Sequence, residues 1–196
     1  MKNLKILIVT QYFFPENFKI NDLANHFSHI GLIVDVLTSI PNYPSGKYFK
    51  GYGIFRKRYE KVNNIRIYRS LIIPRGSGNK LILFLNYLSF IFFASIKIIT
   101  LRKYHYDVII INALSPITVA IPAIILKKIK KTPTCIWVQD LWPESVTATI
   151  NLPKLLNRLI TSILNPLVKF IYANSDKILV TSKGFISTII NRSIRS

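Results

Sequence analysis

Short, almost unbroken apolar runs alternate along this chain with stretches of helical periodicity. Residues 4–10, 33–38, 106–111, 134–138 and 177–181 read as strands, and 65–70 alternates like a sixth. Helical patterns cover 20–30, 80–101, 115–130 and 155–172, and another begins at 183–190. The first closes at Gly31. The third ends in Lys127, Lys128, Lys130 and Lys131, cations that suit the negative end of a helix dipole. Strands this apolar are buried on both faces, so the pattern predicts an α/β chain with a parallel sheet sandwiched between helices. At 196 residues the chain holds one sizeable core, or one domain plus a fragment.

Two polar clusters follow two of the apolar runs. Gln11-Tyr12-Phe13-Phe14-Pro15-Glu16-Asn17 comes after the first, and Gln139-Asp140-Leu141-Trp142-Pro143-Glu144-Ser145 after the run at 134–138. In an open parallel sheet, ligands bind in the crevice outside the carboxyl ends of the strands. Both clusters are therefore expected to face one crevice. Their acids, amides and rings suit a polar ring such as a sugar. Asp140 and Glu144 form the best acidic pair, placed to hydrogen-bond sugar hydroxyls or take an acceptor proton. The alternative is that Glu144 or Ser145 caps a helix and Trp142 lies in the core. Glu16 and Asn17 are expected to cap the helix at 20–30, whose positive end also suits a diphosphate, with Lys19 adding a cation. Ser115 follows a strand and precedes a helix, which makes it an N-cap first and a ligand contact second.

A loop at 41–64 is far longer than the usual loop of about 2–6 residues. It interleaves Tyr43, Tyr48, Phe49, Tyr52, Phe55 and Tyr59 with Lys47, Lys50, Arg56, Lys57 and Arg58. Such rings stack on sugars while the cations hold phosphates, or else the rings pack inward. The chain carries 27 Lys and Arg against 8 acids, a net charge of +19 that favours anionic partners. No acid lies between Glu60 and Asp107, and the most apolar segment, 81–101, falls within that stretch. Basic flanks around a greasy segment favour an anionic membrane surface over nucleic acid. Asn86, Ser89, Lys97 and Thr100 fall on one face of that segment. Three readings stay open: an interfacial helix, a buried core helix and a membrane span.

Other features are quieter. Cys135, the only cysteine, excludes an internal disulfide and sits in an expected buried strand. After Lys2 and Lys5 the apolar run breaks at Gln11 without a small-residue cleavage site, so a secretion signal is not expected. Gly76-Ser77-Gly78-Asn79-Lys80 lacks phosphate-loop spacing and reads as a turn capped by Asn79. His26, His29 and His105 have no metal-ligand spacing, so no metal is expected.

With these residues in view, the chain resembles the N-terminal domain of glycosyltransferase family 4. The matching pieces run in order: Thr10 to Glu16, Asp22-Leu23-Ala24, Gly31 with Val36-Leu37-Thr38, Ile40-Pro41-Asn42-Tyr43-Pro44, Tyr106-Asp107-Val108-Ile109, Leu114-Ser115-Pro116, and Trp137 to Ser145. The nearest likeness is to bacterial O-antigen and capsule transferases such as the N-acetyl-L-fucosamine transferases. The resemblance implies a Rossmann-like, doubly wound parallel sheet forming one half of a GT-B fold, with residues 1–182 as the acceptor-binding domain and 183–196 leading toward a separate C-terminal donor domain. It implies retaining transfer from a nucleotide sugar, a UDP-sugar, without a metal or other cofactor. The implied acceptor is a polyprenyl-diphosphate-linked sugar at the cytoplasmic face of the bacterial inner membrane, where the protein would sit peripherally. By the resemblance, Phe14, Glu16, Asn17 and Lys19 form the donor-diphosphate loop and Asp140 and Glu144 act catalytically. Tyr43, Lys47, Tyr48, Ser115, Gln139 and Trp142 are the expected acceptor contacts. Asn17-Phe18 stands where many relatives carry a Gly pair, and Asn112 to Ser115 where many carry a His. No acid follows Asp176, so the family's Glu–x7–Glu motif is absent and this chain alone is expected to be inactive. A non-catalytic module that binds or tethers lipid-linked sugars is the alternative.

Overall fold

In the first strand Leu7 and Val9 point to one side and Ile6 and Ile8 to the other, and all four are buried. That double burial sets the architecture. The computed structural model describes residues 4–149 and 154–194. Strands β1 (Lys5–Val9), β2 (Ile33–Ser39), β3 (Tyr59–Val62), β4 (Ile65–Ser70), β5 (Val108–Ala113), β6 (Thr134–Val138) and β7 (Lys177–Val180) form one sheet in the order β3-β4-β2-β1-β5-β6-β7. Helix α1 (Lys19–His29) covers one face through Ile20 and Ala24, against Ile6, Ile8, Val34 and Val36. On the other face α2 (Lys80–Leu101), α3 (Ala120–Lys130) and α5 (Lys154–Ala173) pack on Leu7, Val9, Leu37, Ile109, Ile111 and Ile136. The short α4 (Glu144–Thr149) and the last helix α6 (Gly184–Ile194) complete the order, and Ile189 of α6 joins this second core. The doubly wound α/β expectation is met.

Three local departures have physical causes. The long loop is not structureless: β3 lies inside it and pairs antiparallel with β4, so the sheet is parallel except at that edge. The loop's rings divide, with Tyr43, Phe55 and Tyr59 exposed and Tyr48, Phe49 and Tyr52 half-buried. Tyr48 packs against the core and donates its hydroxyl to the Ile72 carbonyl, and Tyr52 packs there too, while Phe55 alone is almost fully exposed. Third, Ser115 caps nothing. A 3-10 turn, Ile117–Val119, precedes α3, and its N-cap is Pro116. The Ser115 hydroxyl instead accepts the Trp142 indole N–H at 3.2 Å.

The turn before α2 behaves as its residues predict. Asn79 Oδ1 accepts the N–H groups of Leu81 at 2.9 Å and Ile82 at 3.2 Å. Asn79→Ala is expected to cost about 1 kcal/mol and Asn79→Gly only a few tenths, measurable as a shift of the urea midpoint at constant slope.

The orientation of α2 is the unexpected feature. Asn86 and Ser89 face inward with Phe90, Ala94, Ile98 and Leu101, all buried. Their polar atoms are satisfied. Asn86 Nδ2 donates to the Ile73 carbonyl at 2.6 Å, and Ser89 Oγ accepts the Ile73 N–H at 2.9 Å. The irregular segment entering α2 thus receives its backbone partners from the helix itself, as buried backbone requires.

Candidate functional site

The carboxyl ends of β2, β1, β5 and β6 are neighbours in the sheet. Polar side chains link them across this rim. Gln139 Nε2, just past β6, donates to Asn112 Oδ1 at the end of β5. Asn112 Nδ2 donates to Thr10 Oγ1 after β1 at 3.1 Å, and Thr10 Oγ1 donates to the Tyr12 carbonyl at 3.0 Å. From β1 the network continues into α2. Gln11 Nε2 donates to Asn86 Oδ1 at 2.8 Å, and Asn42 Oδ1, beyond β2, accepts the Arg75 N–H at 3.1 Å.

Glu16 fastens the first rim loop to the second. One carboxylate oxygen accepts the N–H groups of Asn42 at 2.8 Å and Tyr43 at 2.7 Å, and the other accepts Phe13 N–H at 3.2 Å. Burial pushes its pKa up to about 7 against the pull of these three donors. The fully buried Arg69 guanidinium supports the same loop, donating to the Phe14 carbonyl at 2.6 Å and pairing with Glu60.

Above this base sits a cluster of rings. Tyr12 stacks on Phe18 with centroids 5.2 Å apart, and Tyr43 tilts against both at 5.6 and 5.3 Å. The Arg75 guanidinium lies 4.9 Å from the Tyr43 ring. Tyr12 is buried and its hydroxyl pKa is raised by burial first, then by Tyr87. Tyr87 is in turn raised by burial, with Arg75 and Asp140 within electrostatic reach. Asp140 therefore shares the rim with the ring cluster and Glu16. Burial raises the Asp140 pKa, which makes it the more basic kind of carboxylate.

The expected site residues do not all converge. Tyr43 beyond β2, Glu16 beyond β1, and Gln139 and Asp140 beyond β6 lie on one rim. Phe14 and Asn17 open instead onto a cavity of about 270 Å³ between α1 and β4, lined also by Asn21, Asn25 and Asn63. Lys19 is exposed at the start of α1. The helix takes Phe18 as its N-cap with no side-chain hydrogen bond there, so neither Glu16 nor Asn17 caps it. Lys47 is exposed in the long loop, and Tyr48 is turned inward. Ser115 is engaged by Trp142, which is buried in the core. Glu144 opens α4 and pairs with Arg192 of α6. Sequence reasoning took Tyr12 only as part of the first polar cluster and gave no site role to Phe18, Asn42, Arg75, Tyr87 or Asn112. A polar Asn86 inside an apolar helix was the one available signal that α2 reaches the rim.

Cys135 is half-buried in β6 with its thiol pKa raised by burial, which disfavours the thiolate. Among the described residues no group of three or more His, Cys, Asp or Glu is placed to hold a metal ion. No family model matches the chain, and no curated protein matches it.

Proposed function

We propose that this chain is the acceptor-holding half of a retaining glycosyltransferase acting on a sugar linked to polyprenyl diphosphate in bacterial surface-polysaccharide synthesis. The observation that carries this reading is the ring cluster of Tyr12, Phe18 and Tyr43. It sits beside Arg75 on a rim shared with Asn112, Gln139 and Asp140. Tyr43, exposed where Tyr12 is buried, would offer its face to the apolar side of a sugar, the half-buried Gln139 amide suits a hydroxyl, and a guanidinium suits a diphosphate. Asp140 would orient the acceptor hydroxyl, whose oxygen attacks the anomeric carbon as the bond to the nucleotide diphosphate breaks and the hydroxyl proton passes to the departing diphosphate. The α1 N-terminus, lacking a side-chain cap, supports a role in receiving that diphosphate. The UDP-sugar itself would be held by a separate C-terminal domain across the cleft.

Calorimetric titration with a short-chain polyprenyl-diphosphate sugar tests this. Binding is expected, with Tyr43→Ala and Asp140→Asn each about tenfold weaker, the loss of one good contact. Unchanged affinity in both variants would overturn the assignment.

A second reading, a non-catalytic module that holds lipid-linked sugars, is favoured by one observation. Glu144 is committed to Arg192, which leaves Asp140 without its expected carboxylate companion. Restored transfer on adding a separately expressed donor domain would decide for the enzyme.

A further inference from the structure

We infer that the outer face of the helical layer containing α2 docks on an anionic lipid bilayer, with α2 lying in the membrane plane. On α2 the apolar residues face out. Leu81, Phe84, Leu88, Phe92 and Ile96 are 44–64% exposed and follow one another at helical spacing. α3 packs against both α2 and α5 on the same side of the sheet. On α5, Leu155, Leu159 and Ile163 are exposed as well. Contiguous exposed apolar area of this kind marks an interaction surface.

The occupant follows from charge. Lys80 stands exposed at the start of α2 and Arg102 and Lys103 at its end, and Lys97 lies within reach of Arg58 and Lys103. No acid occurs between Glu60 and Asp107 to offset them. A basic rim around an apolar face matches acyl chains below anionic headgroups. A second copy is disfavoured, since each chain carries +19 and the same basic rims would be opposed. A transmembrane span is disfavoured because Asn86, Ser89, Phe90, Ala94 and Ile98 would have to leave the protein core. An ordinary core helix is disfavoured, for only 28% of its apolar stretch is buried.

This inference is independent of the sugar reading, so the test uses vesicles without glycolipid. The purified chain is mixed with phosphatidylcholine vesicles containing about 30 mol % phosphatidylglycerol. Sedimentation is expected to show binding at least about tenfold tighter than to pure phosphatidylcholine. The Phe84→Ser/Phe92→Ser double variant is expected to bind about tenfold more weakly or worse. Both positions are exposed, and circular dichroism verifies the fold. A Leu88→Trp reporter is expected to shift to the blue and be quenched by brominated lipid, relative to the parent chain. Equal binding to both vesicle types, or full binding by the double variant, would overturn the inference. Resistance to carbonate extraction would overturn it in favour of a span. A dimer that the double variant abolishes, without vesicle binding, would overturn it in favour of self-association.

Discussion

Arg66→Met is expected to cost about 3–5 kcal/mol of stability, the price of stranding a buried carboxylate. Asp35 in β2 is completely buried and stands in register with Arg66 of the parallel neighbour β4. The guanidinium meets it as a fork, Nε to Oδ1 at 2.6 Å and Nη2 to Oδ2 at 3.0 Å. Tyr106 donates its hydroxyl to Oδ2 at 2.8 Å, and Lys5 Nζ lies 3.9 Å from the same oxygen. Methionine keeps most of the Arg66 stem but removes every donor. The remaining partners, Tyr106 and the more distant Lys5, place the loss toward the lower end of that range. Asp35→Asn is expected to cost less, because Arg66 is partly exposed and turns to water. The double variant Asp35→Asn/Arg66→Met should be more stable than Arg66→Met alone, since no buried charge is then left unpaired. Urea unfolding of the four proteins checks the cycle. A single Arg66→Met variant within about 1 kcal/mol of the parent would show the pair to be dispensable.

The layered core was legible because its signal is local. Runs such as Ile6 to Val9 declare double burial by composition, and helices between them leave only crossover connections. The antiparallel edge was not. β3, Tyr59-Glu60-Lys61-Val62, is short, charged and half-exposed, which is how edge strands avoid pairing with other chains. Its composition is therefore that of a loop. The readable clue was the pair Asn63-Asn64, both at positive φ, 48° and 64°, the residue type and backbone of a two-residue hairpin turn.

The site was legible in part for the same reason. The rule that ligands sit beyond the carboxyl ends of strands put Glu16 and Asp140 on one rim, while Tyr43 came from the ring-rich loop after β2. It says nothing about which aromatic turns outward. Tyr48 and Trp142 found carbonyl and hydroxyl partners below the surface, whereas Tyr43 stays exposed on top of Phe18 and the buried Tyr12. Arg75 reaches Tyr43 from 32 positions away, a pairing that exists only after the sheet has formed. On α2 the polar stripe was visible but not its division, with Asn86 and Ser89 buried, Lys97 half-buried and Thr100 exposed. The amphipathic rule puts polar groups in water. Here the backbone of Ile73 and the side chain of Gln11 need partners more than Asn86 and Ser89 need solvent.

Glu16 gives the second large effect, one that depends on pH. Its carboxyl is buried, and its pKa is raised from 4.5 to about 7 because burial outweighs three backbone donors. A raised acid pKa means the folded protein binds more protons than the unfolded chain between those values. The stabilisation from that proton is complete below about pH 4.5, declines as pH rises, and is gone above about pH 7. Over that window the parent should lose about 3 kcal/mol relative to Glu16→Gln, from a shift of roughly 2.5 units at 1.36 kcal/mol each. The glutamine carbonyl still accepts from Asn42 and Tyr43, while its amide opposes Phe13 N–H, so the variant carries a pH-independent cost of about 1–3 kcal/mol. Urea unfolding of the pair at intervals from pH 4.5 to 7.5 measures it. Parallel stability curves across that range would mean that the three N–H donors, and not burial, govern the carboxyl that ties the two rim loops together.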